Sequence, residues 1–159
     1  MKTIHQIFVE DFMKLAQQEL PESPTIPSVE VRMLRARLIL EECLETISGL
    51  GITVWFEMTN RRTVSFDDLS FEHTHPPNLV EVIDGCCDIK VVTTGTLSAC
   101  GVDDQDYQDE VDLNNLKKFG PGGFRDQKGK WIKPPGHTPP DIKALLDAEI
   151  KRKNGDSKH

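Results

Sequence analysis

Residues 35–45 read Arg-Ala-Arg-Leu-Ile-Leu-Glu-Glu-Cys-Leu-Glu, a run of strong helix formers that ends in three closely spaced glutamates. Apolar residues in and around this run cover more than one stripe of a helix, which is typical of a central helix packed on several sides. Ser28 offers an N-cap before the run, and Gly49 and Gly51 follow it. The stretch therefore predicts a long helix over 29–48.

A second long helix is predicted after Pro76-Pro77-Asn78, and it runs to about Ala99. Its apolar residues recur at helical spacing: Leu79, Val82, Ile83, Cys86 and Ile89. Shorter helices are predicted over 3–18, 103–119 and 141–152. A small β-hairpin is predicted over about 52–66, with strands at 52–56 and 63–66 around a turn at 59–61. The predicted fold class is all-α, with a four-helix core, a small β-hairpin insertion and a C-terminal arm over about 120–140.

Composition restricts the domain count and the classes of partner. With 159 residues, 37% of them apolar, the chain predicts a single domain over 1–152 and a frayed tail over 153–159. Its net charge of −7 repels a nucleic-acid backbone, so we expect no nucleic-acid partner. No apolar run approaches the roughly 20 residues of a membrane helix, and no signal-peptide core is present. We therefore expect no membrane partner, a cytoplasmic location, and four reduced, buried cysteines.

Acidic residues form a pattern on both long helices. Glu41, Glu42 and Glu45 share one face of the first, and Glu81, Asp84 and Asp88 share one face of the second, where Gly85 leaves the face uncrowded. Magnesium prefers oxygen ligands and retains several waters, with phosphates completing its coordination. Carboxylates from two facing helices therefore predict a magnesium site that serves a phosphate substrate.

Two other interpretations of these acids stay open. Acidic clusters are common on solvated helix faces, and each motif taken alone favours that reading. Both clusters, however, lie in the most apolar helices of the chain, where an unpaired carboxylate is costly. A carboxylate-bridged redox site is disfavoured, because a ferritin-like centre requires Glu-x-x-His on two helices and this chain has Glu-x-x-Glu and Glu-x-x-Asp.

The ordered set of Glu-Glu-x-x-Glu at 41–45 and Glu-x-x-Asp at 81–84 resembles the signature of the all-α NTP pyrophosphohydrolases. That group includes MazG, the dimeric dUTPases and phosphoribosyl-ATP pyrophosphohydrolase, and the chain looks most like small phage and bacterial MazG-like proteins. The resemblance covers most of the chain. It includes the proline-rich linker at 21–27, the stretch 109–111, the arm at 128–133 and the closing segment at 139–141, together with Asn115, Lys118 and Phe119.

The resemblance implies a MazG-like four-helix core that assembles as a homo-oligomer, a dimer or a tetramer. It implies hydrolysis of an NTP or dNTP to the monophosphate and diphosphate with Mg²⁺, for which Mn²⁺ substitutes, and two or more ions per site with substrate. A phage-encoded member would act in the bacterial host cytoplasm. The implied metal ligands are Glu42, Glu45, Glu81 and Asp84, with Asp88 as a further ligand or as support for one. Glu41 and Glu42 are the implied catalytic carboxylates, Glu41 binding a second ion or orienting the attacking water.

The implied substrate-binding residues are Asn115 near the nucleoside and Lys118 and Lys133 near the phosphates. The sequence departs from its look-alikes at Asp112, where they commonly carry His, and at His137, where they commonly carry an aromatic residue.

We predict that Asp112 accepts hydrogen bonds from guanine N1–H and N2–H, which favours a purine triphosphate and guanine over adenine. The alternative is an exposed Asp112 that continues the acidic run from 103 to 110. A rival function is a catalytically silent helical oligomeric binding module with structural cations.

Overall fold

The computed structural model describes residues 1–56, 63, 65–127 and 129–156. Of residue 156 only the backbone is described. Within these ranges the chain forms five α-helices, one 3₁₀ turn and two small antiparallel strand pairs. The helices are α1 (Ile4–Leu15), α2 (Val29–Gly49), α3 (Leu79–Ala99), α4 (Gln105–Lys117) and α5 (Ile142–Asp156). The predicted fold class, all-α with a small β-hairpin, is confirmed.

Local chemistry places the ends of the helices close to their predicted positions. The Thr3 hydroxyl accepts from the Gln6 amide at the start of α1, and the Ser28 hydroxyl accepts from the Val31 amide at the start of α2. Helix α1 ends before the predicted residue 18, because Gln17 adopts a left-handed φ of 56°. Helix α5 continues to Asp156, whereas the sequence predicted fraying from residue 153.

The first strand pair joins β1 (Ile52–Phe56) to β2 (Leu69–His73), with Ile52 opposite His73 and Phe56 opposite Leu69. The prediction of β1 is confirmed, but the prediction of a second strand over 63–66 is wrong. The Ser65 amide and hydroxyl both donate to the Asp68 carboxylate, and this capping arrangement folds 66–68 into a 3₁₀ turn instead. The predicted turn at 59–61 lies outside the described residues.

The chain divides into two compact units, one comprising Met1–Ile26 and Leu97–His159 and the other Pro27–Thr96. The first unit holds α1, α4, α5 and the second strand pair, β3 (Phe124–Arg125) with β4 (Trp131–Ile132). The second holds α2, the β1–β2 hairpin and most of α3. The single-domain assignment over 1–152 stays a prediction.

Buried polar side chains organise the first unit. The side chain of Gln6 is fully buried, donates to Ser98 Oγ and to the Val102 carbonyl, and accepts from the Asp104 amide at 2.8 Å. Lys153 of α5 pairs with Asp103 at 2.8 Å, which fixes α5 against the start of α4. This unit is therefore held by satisfied buried polar groups as much as by apolar packing.

Few apolar side chains are buried. Among the described residues, the buried hydrophobic set comprises only Val9, Met13, Val92 and Ala99, each less than 9% exposed. Cys86 and Cys87 are exposed, so the prediction of buried cysteines is wrong for these two. No helix in the described ranges is both long and apolar enough to cross a bilayer.

Candidate active site

Helices α2 and α3 approach each other closely within the second unit. A Cβ built on Gly85 would lie 2.3 Å from Thr46 Oγ1, and one built on Gly49 would lie 3.0 Å from the Val82 amide nitrogen. The Asn78 amide donates to the Gly49 carbonyl at 2.8 Å, which joins the end of α2 to the start of α3. These contacts hold the acidic faces of the two helices beside one another.

A cavity of about 250 Å³ lies between these faces. Four of the six predicted metal-site carboxylates line it, from both helices, together with Ser48 and Gly85: Glu45, Glu81, Asp84 and Asp88. Ser48 lies one turn after Glu45, a spacing that would have identified it from the sequence. The structure thus brings together the acids that sequence spacing assigned to two separate helices.

Glu42 belongs to the same electrostatic cluster. Partial burial raises the pKa of Glu42 above its ordinary value, and the charges of Asp88, Glu45, Glu41 and Asp84 raise it further. Glu42 is half-buried on α2, whereas its neighbour Glu41 is exposed. Repulsion among these acids favours any cation that enters the cavity.

None of the six carboxylates forms an ion pair with a lysine or arginine in the part of the chain that the structure describes. Glu81 has one fixed partner, since its Oε1 accepts from the Asn78 side chain at 2.8 Å. Acids that repel one another and have no counter-ion among the described residues are poor candidates for a structural role, so the cluster is a candidate functional site.

The donor set fits a hard divalent cation, because every donor is a carboxylate oxygen. In the described ranges, however, no three His, Cys, Asp or Glu side chains lie close enough together to hold an ion directly. Magnesium retains waters and takes further oxygens from phosphates, so it requires few direct protein ligands. The arrangement therefore suits an ion that enters together with a phosphate substrate.

The predicted substrate-binding residues all belong to the first unit. Asn115 Oδ1 accepts from the Lys118 ammonium, and the Lys118 carbonyl accepts from the indole N–H of Trp131. Trp131 packs on Phe119 with ring centroids 4.9 Å apart, which ties the arm to the end of α4. Asn115 and Lys118 therefore lie together at the end of α4, and their roles in substrate binding stay predictions.

The other two predicted substrate-binding residues, Asp112 and Lys133, have different neighbours from Asn115 and Lys118. Asp112 is exposed and accepts from the Gln108 side chain at 2.9 Å, an i, i+4 pair on one face of α4. Lys133 is exposed. Partial burial lowers the pKa of His137, and the charge of Lys133 lowers it further. Sequence reasoning named His137 only as a departure from the look-alikes and did not name Lys117, which lies near it.

The model of the phosphoribosyl-ATP pyrophosphohydrolase family matches residues 9–115, more than half of the chain. No curated protein matches the chain significantly. The matched family lies within the MazG-like all-α superfamily, whose members generally depend on divalent cations. The predicted resemblance is therefore confirmed, and the helical fold agrees with it. The chain belongs to the phosphoribosyl-ATP pyrophosphohydrolase family and is a pyrophosphohydrolase of the MazG-like superfamily.

Proposed function

We propose that the protein is a magnesium-dependent nucleoside-triphosphate pyrophosphohydrolase that converts an NTP or dNTP and water to the monophosphate and diphosphate. The observation that carries the proposal is the cavity between α2 and α3, which is lined by four carboxylates from two helices that have no cationic partner among the described residues. Such a site attracts divalent cations and, through them, the phosphates of a nucleotide. The activity would serve control of the cytoplasmic nucleotide pool.

Each carboxylate has a place in this proposal. Glu42, Glu45, Glu81 and Asp84 would hold the magnesium ions, two or more per site with substrate, and Asp88 would serve as a further ligand or orient one. Bound magnesium neutralises phosphate charge and lowers the pKa of a bound water, and manganese substitutes for it. Glu41 and Glu42 are the proposed catalytic carboxylates, and exposed Glu41 is free to accept a proton from the attacking water.

A nucleotide panel tests this function directly. Purified protein is incubated with Mg²⁺ and each of the common NTPs and dNTPs, with phosphoribosyl-ATP included because the family is named for it. Release of diphosphate together with the monophosphate is the expected result. Release of inorganic phosphate with a nucleoside diphosphate would show a different bond being cleaved. No hydrolysis of any compound would favour the silent binding module with structural cations.

We predict that the protein is a homo-oligomer, a dimer or a tetramer, in solution. Several apolar residues of α1 are exposed in the single chain: Ile4 (75%), Phe8 (69%), Phe12 (59%) and Leu15 (86%). Helices α2 and α3 also expose large apolar side chains, including Met33 and Val80. So much exposed apolar surface is unusual for a monomer and is covered when subunits associate. Light scattering at micromolar concentration is expected to give a multiple of 17.9 kDa, and a monomer mass would contradict the prediction.

We predict that purine triphosphates are the best substrates and that Asp112 contributes a preference for guanine. Its carboxylate is exposed on α4, one turn before Asn115. It would accept two hydrogen bonds from N1–H and N2–H of guanine, whereas adenine has no donors at the matching positions. Asp112→Asn should reduce the ratio of kcat/KM for dGTP to kcat/KM for dATP about tenfold. This corresponds to a loss of about 1–2 kcal/mol in the free energy that discriminates guanine from adenine. Asp109→Asn, an exposed acid on the same helix, serves as the control. An unchanged ratio, or faster hydrolysis of pyrimidines, would leave Asp112 as the solvated partner of Gln108.

A further inference from the structure

Asn78 immediately precedes α3, and both its side chain and its main chain are fully engaged. Its Oδ1 accepts from the Val80 amide at 3.1 Å, and its Nδ2 donates to Glu81 Oε1 at 2.8 Å. Its main-chain amide donates to the Gly49 carbonyl at 2.8 Å, and its carbonyl accepts from the Val82 amide at 3.0 Å. One residue therefore joins the end of α2, the start of α3 and a carboxylate that lines the cavity.

These partners fix the orientation of the Asn78 side-chain amide. A main-chain N–H can donate only to an acceptor, so the oxygen of the amide must face Val80. The amino end is then the group that faces Glu81, and it can only donate. A hydrogen bond to an ionised carboxylate is stronger than one between neutral groups. The contact therefore holds Glu81 through one defined oxygen, Oε1.

Capping of α3 does not by itself require this contact. The residue before a helix needs one acceptor, which Asn, Asp and Ser supply about equally well. In a capping box, the glutamate at the third helical position accepts from the main-chain amide of the capping residue. Glu81 occupies that position, but the Asn78 main-chain amide is taken by the Gly49 carbonyl. The amino group of the Asn78 side chain takes its place and serves Glu81 alone.

The main chain around Glu81 is also restricted. A Cβ built on Gly49 would lie 3.1 Å from Glu81 Cβ and 3.2 Å from its carbonyl carbon, so α2 packs directly on this residue. The segment before Asn78 is tied to the same end of α2, because His75 Nε2 donates to the Ser48 carbonyl at 2.8 Å. A carboxylate that is restricted at both its main chain and its tip loses little conformational entropy when it binds a cation.

We propose that Asn78 is a positioning residue that acts through Glu81. Its amide holds Oε1 of Glu81 and leaves Oε2 for the divalent cation. Hydrogen-bonding partners of this kind orient metal ligands without touching the metal themselves. The proposal rests on the proposed function in taking Glu81 as a cation ligand, but it concerns cation affinity and not the hydrolysis that follows.

The test measures cation affinity in nucleotide-free protein, so that it does not depend on hydrolysis. Mn²⁺ is titrated into the protein, and the signal of free Mn²⁺ is followed by electron paramagnetic resonance. Asn78→Gly removes the amide, and glycine is tolerated at the residue before a helix. We expect the dissociation constant for Mn²⁺ to rise about tenfold, as it does when other partners of metal ligands are removed. In a Glu81→Gln background, Asn78→Gly should have no further effect, because the ligand through which Asn78 acts is already lost.

Ser28→Gly provides the matched control. Ser28 caps α2 in the same unit, through the Val31 amide, and does not line the carboxylate cavity. This variant loses a helix cap as Asn78→Gly does, but it should bind Mn²⁺ with the affinity of the wild type.

Unchanged Mn²⁺ affinity in Asn78→Gly would overturn the proposal, and so would a wild type that binds no Mn²⁺. An equal loss in Ser28→Gly, or an equal loss with Glu81→Gln already present, would also overturn it, since helix stability would then be the cause. The expected Mn²⁺ pattern in a wild type that hydrolyses no nucleotide would reject the proposed function and leave the role of Asn78 standing. Hydrolysis by a wild type whose Mn²⁺ affinity is insensitive to Asn78→Gly would reject the role of Asn78 alone.

Discussion

Glu42→Gln and Asp84→Asn are each expected to reduce turnover by at least about 100-fold, with the helical circular-dichroism signal unchanged. Each substitution removes one negative charge and one cation-binding oxygen from the cluster between α2 and α3, with almost no change in size. Even residues that only support metal ligands commonly contribute 10–100-fold to metal affinity or activity, so a proposed direct ligand should contribute at least as much. Steady-state hydrolysis at several magnesium concentrations measures the loss of turnover. Excess magnesium should restore the turnover only partly.

Stability measurements separate metal binding from a general effect on the fold. The pKa of Glu42 is raised by burial and by four neighbouring acids, so its ionised form opposes folding at pH above that pKa. Without metal, Glu42→Gln should therefore be as stable as the wild type or more so. With magnesium at about 100 times its Kd, the wild type should gain about 2.7 kcal/mol. The variant should lose most of that gain.

Glu72→Gln and Asp67→Asn are matched controls, because both residues are exposed acids of the same unit that do not line the carboxylate cavity. Both control variants should keep full activity and the full magnesium effect on stability. Full activity of Glu42→Gln and Asp84→Asn at ordinary magnesium would end the assignment of these acids as ligands. Equal losses in the controls would attribute the effect to net charge.

The long helices could be predicted because their signals are local. Ser28 caps α2 and Gly49 ends it, and the apolar spacing of α3 persists through its β-branched residues. The same local signals placed the acids on two helix faces. Local signals do not show that the two faces line one cavity, because this depends on the close approach of Gly85 to Thr46, which no local pattern encodes.

The parts that the sequence did not predict depend on competing local structure or on distant contacts. Residues 63–66 alternate polar and apolar side chains, as a strand does, but the hydrogen bonds from Ser65 to Asp68 outweigh that pattern. Lys117 and His137, twenty residues apart in the sequence, both line a cavity of about 320 Å³ at the end of α4. The buried side chain of Asn114 donates to the Thr138 carbonyl and holds that distant segment against α4, which no local sequence pattern indicates.

Gly85→Ala is expected to lower the free energy of unfolding by about 1–3 kcal/mol, the usual effect of overpacking. The new Cβ would lie 2.3 Å from Thr46 Oγ1 and 3.1 Å from Thr46 Cα, so α2 and α3 must move apart. Replacing a helical glycine with alanine ordinarily stabilises by about 1 kcal/mol, and this gain opposes the steric effect. Gly155→Ala on α5 is the control without the steric effect, because a Cβ there would meet no described atom within 4 Å. Since Gly155 lies next to the last residue of α5, its gain should be smaller than at an interior position.

A double-mutant cycle shows whether the contact with Thr46 causes the loss. Thr46→Ala removes the nearest atom, Oγ1, together with its hydrogen bond to the Glu42 carbonyl. The double variant Gly85→Ala/Thr46→Ala should be more stable than the sum of the single effects predicts, by about 0.5–3 kcal/mol. Denaturant unfolding is measured at one fixed protein concentration, since association of subunits also contributes to stability.

The same cycle links the packing of α2 and α3 to the carboxylate cavity. If the helices move apart at Gly85, the acids of α2 and α3 separate, and the magnesium-dependent gain in stability should fall in Gly85→Ala and recover in the double variant. Gly155→Ala should leave the magnesium-dependent gain in stability unchanged. A stabilised Gly85→Ala protein with an intact magnesium effect would show that the helices accommodate the methyl group, and that close approach at Gly85 is not what positions the acids.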